Sequence, residues 1–257
     1  MQETQAKFYI ALRNMVFPLI KEKYNALYYY YQCKWRILMP KNRRSSEEID
    51  AVKENIMMHA LELIILEGYD GFSMRKLGAR LNIAAKTIYN YFHSQDDLYL
   101  HLLIKGFKQL LESFESSIEP YNDPMDQLHA TIRAYVDFGI EHANIYNILF
   151  TLHVPKYNDY LGTPMEDAAH AELQTALKCQ HFFMDRIAAC VGDSIKREED
   201  IRFEVVHIWT QMHGYVSGIN NTLLDYMYEN PISIKEKIIN RIFQTTQNEI
   251  IALKKQS

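Results

Sequence analysis

Cysteine is scarce in this chain: 257 residues hold three, Cys33, Cys179 and Cys190. So sparse and odd a set excludes a disulfide-built scaffold and suits a reducing compartment, with the thiols read as small buried apolar groups. Proline (7) and glycine (9) are also few, and no segment alternates with the two-residue period of a strand. That leaves long stretches free to be helical. No run of about 18 uncharged apolar residues occurs, so no membrane span is expected. The aromatic start, "FYIALRNMVFPLI", is interrupted by Arg13 and Pro18 and lacks the order of a signal peptide. Catalytic signatures are missing as well: there is no phosphate-cradling glycine loop, no G-x-S-x-G and no H-E-x-x-H. Ten histidines are present, but His142 with His153, or His207 with His213, do not have the spacing of a ligand set, and no cysteine joins them. These absences lead us to expect no enzyme, no metal and no cofactor, in a protein of the cytoplasm.

What the chain does have is apolar residues, 48% of the total, enough for a sizeable core. The net charge of −4 excludes a uniformly basic nucleic-acid coat but not a local basic face. The periodicity predicts an all-α protein. Ile49, Val52, Ile56, Ala60 and Leu63 form a helical stripe from Ser46 to about Leu66, capped by Ser45 or Ser46 and stopped at Gly68. Ser73 caps a short helix to about Leu81, and Asn82 tolerates the left-handed backbone of a sharp turn. A second short helix follows, from Ala84 or Ala85 to Tyr91. Ser94 with Asp97 forms a capping-box signature for the next helix, which carries Leu103, Phe107, Leu110 and Phe114 and fades near Pro120. Further helices are expected at about 124–142, 143–152, 165–192, 198–228 and 233–254, with "HVPKYNDYLGTP" as a long loop.

Between Ser73 and Gln95 the only formal charges are Arg75, Lys76, Arg80 and Lys86, and no acid interrupts them. Two short helices joined by a tight turn, following a longer helix, have the outline of a helix-turn-helix, whose second helix enters the major groove. Base edges need short or planar polar groups, and phosphates need cations and hydroxyls. Ala85, Lys86, Tyr89 and Asn90 can share an exposed face while Ile83, Ile88 and Phe92 point inward. Asn90 suits an adenine edge and Ala85 a thymine methyl; Arg75, Lys86, Thr87 and Tyr91 suit phosphate oxygens. On spacing alone, a solvated helix pair in an ordinary bundle reads the same way.

"FSMRKLGARLNIAAKTIYNYFHSQDDLYLHLL" resembles the DNA-binding domain of the TetR family of bacterial transcriptional regulators. Phe72, Ser73, Arg75, Leu77, Ile83, Thr87, Ile88, Tyr89, Tyr91, Phe92, Ser94 and Leu98 carry the likeness. The resemblance implies that Ser73, Arg75, Thr87, Tyr89, Asn90 and Tyr91 lie at or near duplex DNA. We place Ala85, Lys86 and Ser94 with them as candidate DNA-binding residues. Ala84 stands where the family usually has serine, and Gln95 where a lysine commonly meets phosphate. Downstream, "IWTQMHGYVSG" carries Trp209, His213 and Gly214, and with "EHANIYNILF" resembles the regulatory domain of the WHG subgroup of that family. There His213 is read as a core histidine bonded to a neighbouring hydroxyl or carbonyl, with a ligand contact as the alternative, and Gly214 as a site of close helix approach.

The resemblance implies a division into an N-terminal extension (1–38), a three-helix DNA-binding head (39–98) and a larger helical regulatory and dimerisation domain (99–257). The extension is either an extra helix, with Phe8, Leu12, Met15 and Leu19 at helical spacing, or the product of a start assigned too early, since Met39 opens a basic arm and a capped helix. Tyr146, Phe150, Phe183, His207, Gln211 and Met212 are candidates for a pocket that takes a small hydrophobic effector. Ile219, Leu223, Ile238, Ile242 and Phe243 are candidates for a homodimer interface. Two heads would then meet a near-palindromic operator. The function expected is that of a repressor released from its operator by a small molecule, with a helical carrier that has lost DNA binding as the alternative.

Overall fold

The computed structural model describes residues 45–192 and 198–255. The expectations for the extension, the basic arm and Cys33 lie outside the described residues. The chain divides into two compact units, Met1–Ile56 and Met57–Ser257. Among the described residues every regular element is a helix: α1 (Ser46–Glu67), α2 (Met74–Leu81), α3 (Ala85–Ile88), α4 (Gln95–Ile118), α5 (Pro124–Glu141), α6 (Ala143–Phe150), α7 (Glu166–Val191), α8 (Glu198–Asn220) and α9 (Lys235–Lys255).

In the first unit the described residues are the start of α1, and a capping box forms it. Ser45 Oγ accepts from the Glu48 amide at 3.2 Å, and the Glu48 carboxylate accepts from the Ser45 amide at 3.3 Å. Within the second unit, α1 ends at Gly68, whose φ of 74° is the left-handed stop its sequence position suggests. Leu63, Ile64, Phe72, Leu77, Ile88, Phe92, Leu98 and Tyr99 are all buried. They come from α1, α2, α3, the turns that carry Phe72 and Phe92, and the start of α4, so the head has its own small core.

The larger part of this unit is a bundle built on α5, which packs against α4, α6, α7, α8 and α9. Burial of Leu128, Ile132, Tyr135, Val136 and Phe138 follows from that central place. Gly139 makes one crossing possible: a Cβ there would lie 2.5 Å from Val216 Cγ1 and 3.0 Å from the Tyr146 ring. At the surface, Arg133–Glu236 (2.5 Å) and Lys235–Asp137 (2.6 Å) tie α5 to the start of α9. Exposed pairs of this kind contribute at most about 1 kcal/mol each.

The helix expected over 198–228 ends at Asn220. Thr222 takes a left-handed φ of 56°, the Leu223 amide reaches back to the Gly218 carbonyl at 2.9 Å, and Leu224–Tyr226 is a 3-10 turn. No glycine or proline follows Asn220 until Pro231, so composition gives no stop signal there.

Candidate nucleic-acid interface

The helix pair of the head is set by four local devices. Ser73, in extended backbone, caps α2 by accepting from the Lys76 amide at 3.3 Å. Asn82 closes α2 with a left-handed φ of 54°, and the next amide, of Ile83, reaches the Gly78 carbonyl at 2.9 Å. Gly78 itself is where the two helices touch: a Cβ would lie 2.8 Å from the Ile83 carbonyl oxygen and 3.1 Å from the Ala85 nitrogen. Only glycine lets α3 start so close to α2. Ser94 caps α4 by accepting from the Asp97 amide at 2.9 Å, and Asp97 reaches back one residue further than the usual box, to the His93 amide at 2.7 Å.

α3 is shorter than the sequence suggests. It covers Ala85–Ile88, and Tyr89–Tyr91 continue as a tighter turn, with the Tyr91 amide on the Ile88 carbonyl at 2.9 Å. Ala84 offers no side-chain cap, and β-branched Thr87 and Ile88 are weak helix formers, so one turn is all the helix sustains.

The four cations divide into two pairs. Lys76 is paired with Glu67 and also donates to the Gly71 carbonyl, and Arg80 pairs with Glu62 at 2.5 Å. Both carboxylates come from α1, outside the stretch that carries no acid. Arg75 and Lys86 are exposed and have no ion-pair partner among the described residues. Tyr89 (48% exposed) and Asn90 are exposed as well, while Ser73, Ala85, Thr87 and Tyr91 are half-buried. Ile88 and Phe92 are fully buried as expected, and Ile83 only half so. Ser94 is half-buried, and its hydroxyl is already engaged: it accepts from Asp97 and donates to Met165 Sδ at 3.6 Å.

In the bundle a cavity of about 270 Å³ lies among α4, α5, α6, α7 and α8. Phe107, Leu110 and Phe114 line it from α4, Tyr135 from α5, Phe150 from α6, Ala176, Leu177, Cys179, Gln180 and Phe183 from α7, and Val205, Val206 and Trp209 from α8. Of the pocket candidates, Phe150 and Phe183 are on the wall. Tyr146, His207, Gln211 and Met212 are not: Met212 is buried in the core, His207 faces Glu204 at 3.4 Å, and the Gln211 amide nitrogen is buried without a partner among the described residues. Tyr146 stands behind the wall in a polar chain. Its hydroxyl bonds Tyr135 at 3.0 Å and His213 Nδ1 at 2.7 Å, and Trp209 stacks on His213 at 4.8 Å. Burial pushes both tyrosine hydroxyls up and the His213 imidazole down, so all three are neutral near pH 7. Burial also lifts the Cys179 thiol to about 12, which leaves it an inert part of the wall.

His213 is therefore a half-buried histidine held on a hydroxyl, the bond its sequence setting suggests. Gly214 differs from expectation: it is exposed, and a Cβ there would meet nothing within 4 Å. Of the interface candidates, Ile242 is buried in its own bundle, and Phe243 stacks on His129 of α5 at 4.5 Å. A helical stripe has two sides, and this part of it is spent within the chain. Ile219 and Ile238 are half-buried, and Leu223 is 60% exposed in the turn after α8.

No helix among the described residues is long and apolar enough to cross a membrane. Residues 56–102 match the family described as bacterial regulatory proteins, tetR family, and residues 128–225 match the tetracyclin repressor-like C-terminal domain. A relative from Mycolicibacterium smegmatis, the HTH-type transcriptional activator FasR, is 26% identical over 169 residues, 65% of this chain and 73% of its own. Among solved structures, the fatty acid degradation regulator FadR from Bacillus halodurans superposes with a TM-score of 0.56 at 12% identity, over 79% of this chain and 97% of its own. AibR in complex with isovaleryl coenzyme A and operator DNA superposes with a TM-score of 0.54 at 15% identity, over 75% of this chain and 96% of its own. With both its head and most of its bundle matched, the chain belongs to the TetR family, whose members are DNA-binding transcriptional regulators and not enzymes.

Proposed function

We propose that this regulator is an effector-responsive, sequence-specific repressor that acts in the cytoplasm as a homodimer on a near-palindromic operator. The observation that carries the DNA reading is the pairing pattern of the head: Arg75 and Lys86 are exposed without an ion-pair partner among the described residues, in the same helix pair whose Tyr89 and Asn90 are also exposed. In this reading Arg75, Lys86, Thr87 and Tyr91 meet phosphate oxygens, with Ser73 and Ser94 at the edge of the contact, and Asn90, Tyr89 and Ala85 face the base edges. Gln95 supplies no charge there, so the salt dependence is shallow for the family.

The effector enters the bundle cavity as hydrocarbon. Its walls are almost entirely carbon, and the hydroxyl of Tyr135 is already bonded to Tyr146. About 270 Å³ is small for a ligand pocket, which suits the apolar end of a molecule whose polar head stays outside. The isovaleryl coenzyme A held by AibR is of that kind. An effector that prefers a head spacing unsuited to DNA releases the operator, and coupling of about 1–3 kcal/mol is sufficient. α4, which carries both Ser94 and the cavity residues Phe107, Leu110 and Phe114, is the covalent lever.

A gel shift with the DNA flanking the protein's own gene tests this. A specific complex that weakens with salt supports the regulator, and Asn90→Ala relaxes preference at particular base pairs where Thr87→Ala weakens all sequences alike. No specific complex at modest salt returns the reading to a helical carrier. Because the relative FasR is named an activator, activation is the second reading, and a promoter-fused reporter with and without the gene separates the two.

A further inference from the structure

The segment between α6 and α7 looks like a plain loop in the sequence, yet it is internally braced and reaches the DNA-binding head. Tyr157–Tyr160 is a 3-10 turn closed by the Lys156 amide on Asp159 Oδ2 at 2.7 Å. Thr163 Oγ1 donates to the Tyr160 carbonyl at 2.7 Å and accepts from the Met165 amide at 3.1 Å, and the Gly162 amide is held by the Glu166 carboxylate at 2.7 Å. Tyr160 is buried between Leu100 of α4 and Ala169 of α7. Its hydroxyl lies 3.4 Å from Asp96 Oδ1, the same oxygen that the Tyr69 hydroxyl takes. Five residues on, Met165 Sδ accepts from Ser94, the cap of α4. Both contacts are with the head: Ser94 and Asp96 open α4, and Tyr69 stacks edge-on against Tyr99 at 4.8 Å, just before the turn that leads to the Ser73 cap.

Met165 is also the last residue before α7, the helix that gives the cavity Ala176, Leu177, Cys179, Gln180 and Phe183. Ala176 is ten residues into α7, about 15 Å along a rigid rod. We propose that Lys156–Met165 is a coupling strap, a second and non-covalent connection that carries displacement of α7 at the cavity to Asp96 and Tyr69 in the head. It is needed because α4 alone cannot report movement of α7 relative to itself. Tyr160 is the positioning residue of this device. Burial and the neighbouring Asp96 carboxylate hold its hydroxyl at about 12, so it remains a donor to Asp96 throughout the neutral range. Room for the strap to move is present: a space of about 420 Å³ lies beside it, lined by Ser94, Asp96, Asp159, Tyr160, Thr163 and Met165.

The strap rests on the reading of the cavity as the effector site, and one experiment separates the two. Hydrogen exchange is followed by mass spectrometry on the full chain, with and without decanoic acid as the apolar probe. Decanoic acid is expected to slow exchange over residues 176–183 and to change it about fivefold over 69–73 and 94–97. In Tyr160→Ala the response over 176–183 remains and the response in the head is lost. Tyr160→Phe, which keeps the ring on Leu100 and Ala169, gives an intermediate head response and keeps the test decisive should the alanine variant fail to fold. A head response equal to wild type in these variants overturns the strap alone. Absence of any response over 176–183 in the wild type overturns the cavity reading, and the strap with it.

Discussion

The head and the bundle hold their shapes by different means. In the head, helices of eight and four residues are fixed by single groups at single positions: the Ser73 and Ser94 caps, left-handed Asn82, and Gly78 where two backbones meet. In the bundle, helices of up to 26 residues are fixed by stripes of large apolar side chains, and the packing leaves a gap. The head is thus defined by where single atoms are placed, and the bundle's cavity by where they are missing. Point chemistry of the first kind is visible residue by residue, whereas a cavity belongs to no residue and depends on how five helices meet.

Truncating a core aromatic in each region gives the largest contrast. Phe92 is fully buried, edge-on to His101 at 5.4 Å, and Phe92→Ala is expected to cost about 3–5 kcal/mol. With so little other core, the head unfolds and DNA binding goes with it. Phe114 is also buried, packed on Phe182 and Phe183, but one side of it already faces the cavity. Phe114→Ala is therefore expected to cost about 3 kcal/mol, at the low end of that range, and to enlarge the cavity. Urea titration of both variants, alongside DNA binding, measures this. Equal costs would mean that the cavity is not slack in the packing.

Smaller, and confined to the head, is the division among its cations. Arg75→Ala and Lys86→Ala should each flatten the plot of log affinity against log salt by about 0.9. Lys76→Ala and Arg80→Ala, whose charges are met by Glu67 and Glu62, should change that slope less and lower stability by at most about 1 kcal/mol. Slopes measured on one duplex for all four variants decide it. If all four fall alike, the α1 carboxylates let go when DNA arrives.

These cases show where the sequence could be read and where it could not. The caps at Ser73 and Ser94, the turn at Asn82, the inward Ile88 and Phe92 and the missing cap at Ala84 all follow from one residue type in one place. The neutralisation of Lys76 and Arg80 could not be read, because Glu62 and Glu67 lie on a preceding helix whose orientation is tertiary information. In the bundle, Phe107, Leu110 and Phe114 belong to a visible stripe, yet a stripe does not tell core from cavity wall. Tyr135, Ala176, Cys179 and Gln180 carry no signal at all. His207 and Gln211 share α8 with Trp209, but at about 100° per residue they face the other side, and Met212, on the same side as Trp209, is closed off in the core.

Acid should test the bundle through its histidines. Burial lowers His213, and burial followed by the Arg133 charge lowers His129. A histidine depressed in the native state binds protons more readily when unfolded. Its contribution is thus complete above the ordinary value of about 6.5 and is lost as pH falls below it toward the native value. Buried Glu172 and Glu204, both raised by burial, act in the opposite sense at lower pH, since the native state takes up their protons first. The clean readout is a difference: between pH 7.5 and 5.5 the urea midpoint of His213→Asn should fall less than that of the wild type. An equal fall would place the acid sensitivity outside the Tyr146–His213 chain.

The smallest expected effect contrasts two helix starts that lack a side-chain cap, those of α3 and α6. Ala84 precedes α3 with φ −66° and ψ 140°, already the extended backbone that a capping residue adopts. The Thr87 amide is taken by the Ala84 carbonyl at 2.8 Å, so a serine hydroxyl at 84 would accept from the Lys86 amide. Ala84→Ser should stabilise the head by a few tenths to about 1 kcal/mol, slow amide exchange at Lys86–Asn90, and tighten DNA binding by no more than about fivefold. His142 likewise starts α6 without a side-chain cap, but it also ends α5, and its φ of −115° and ψ of 43° belong to a tight joint between the two helices. No hydroxyl at that backbone geometry is aimed at the first turn of α6, so His142→Ser should gain nothing. Thermal unfolding of the two variants compares them directly, and a gain at 142 equal to that at 84 would mean that backbone geometry does not decide which start can be capped.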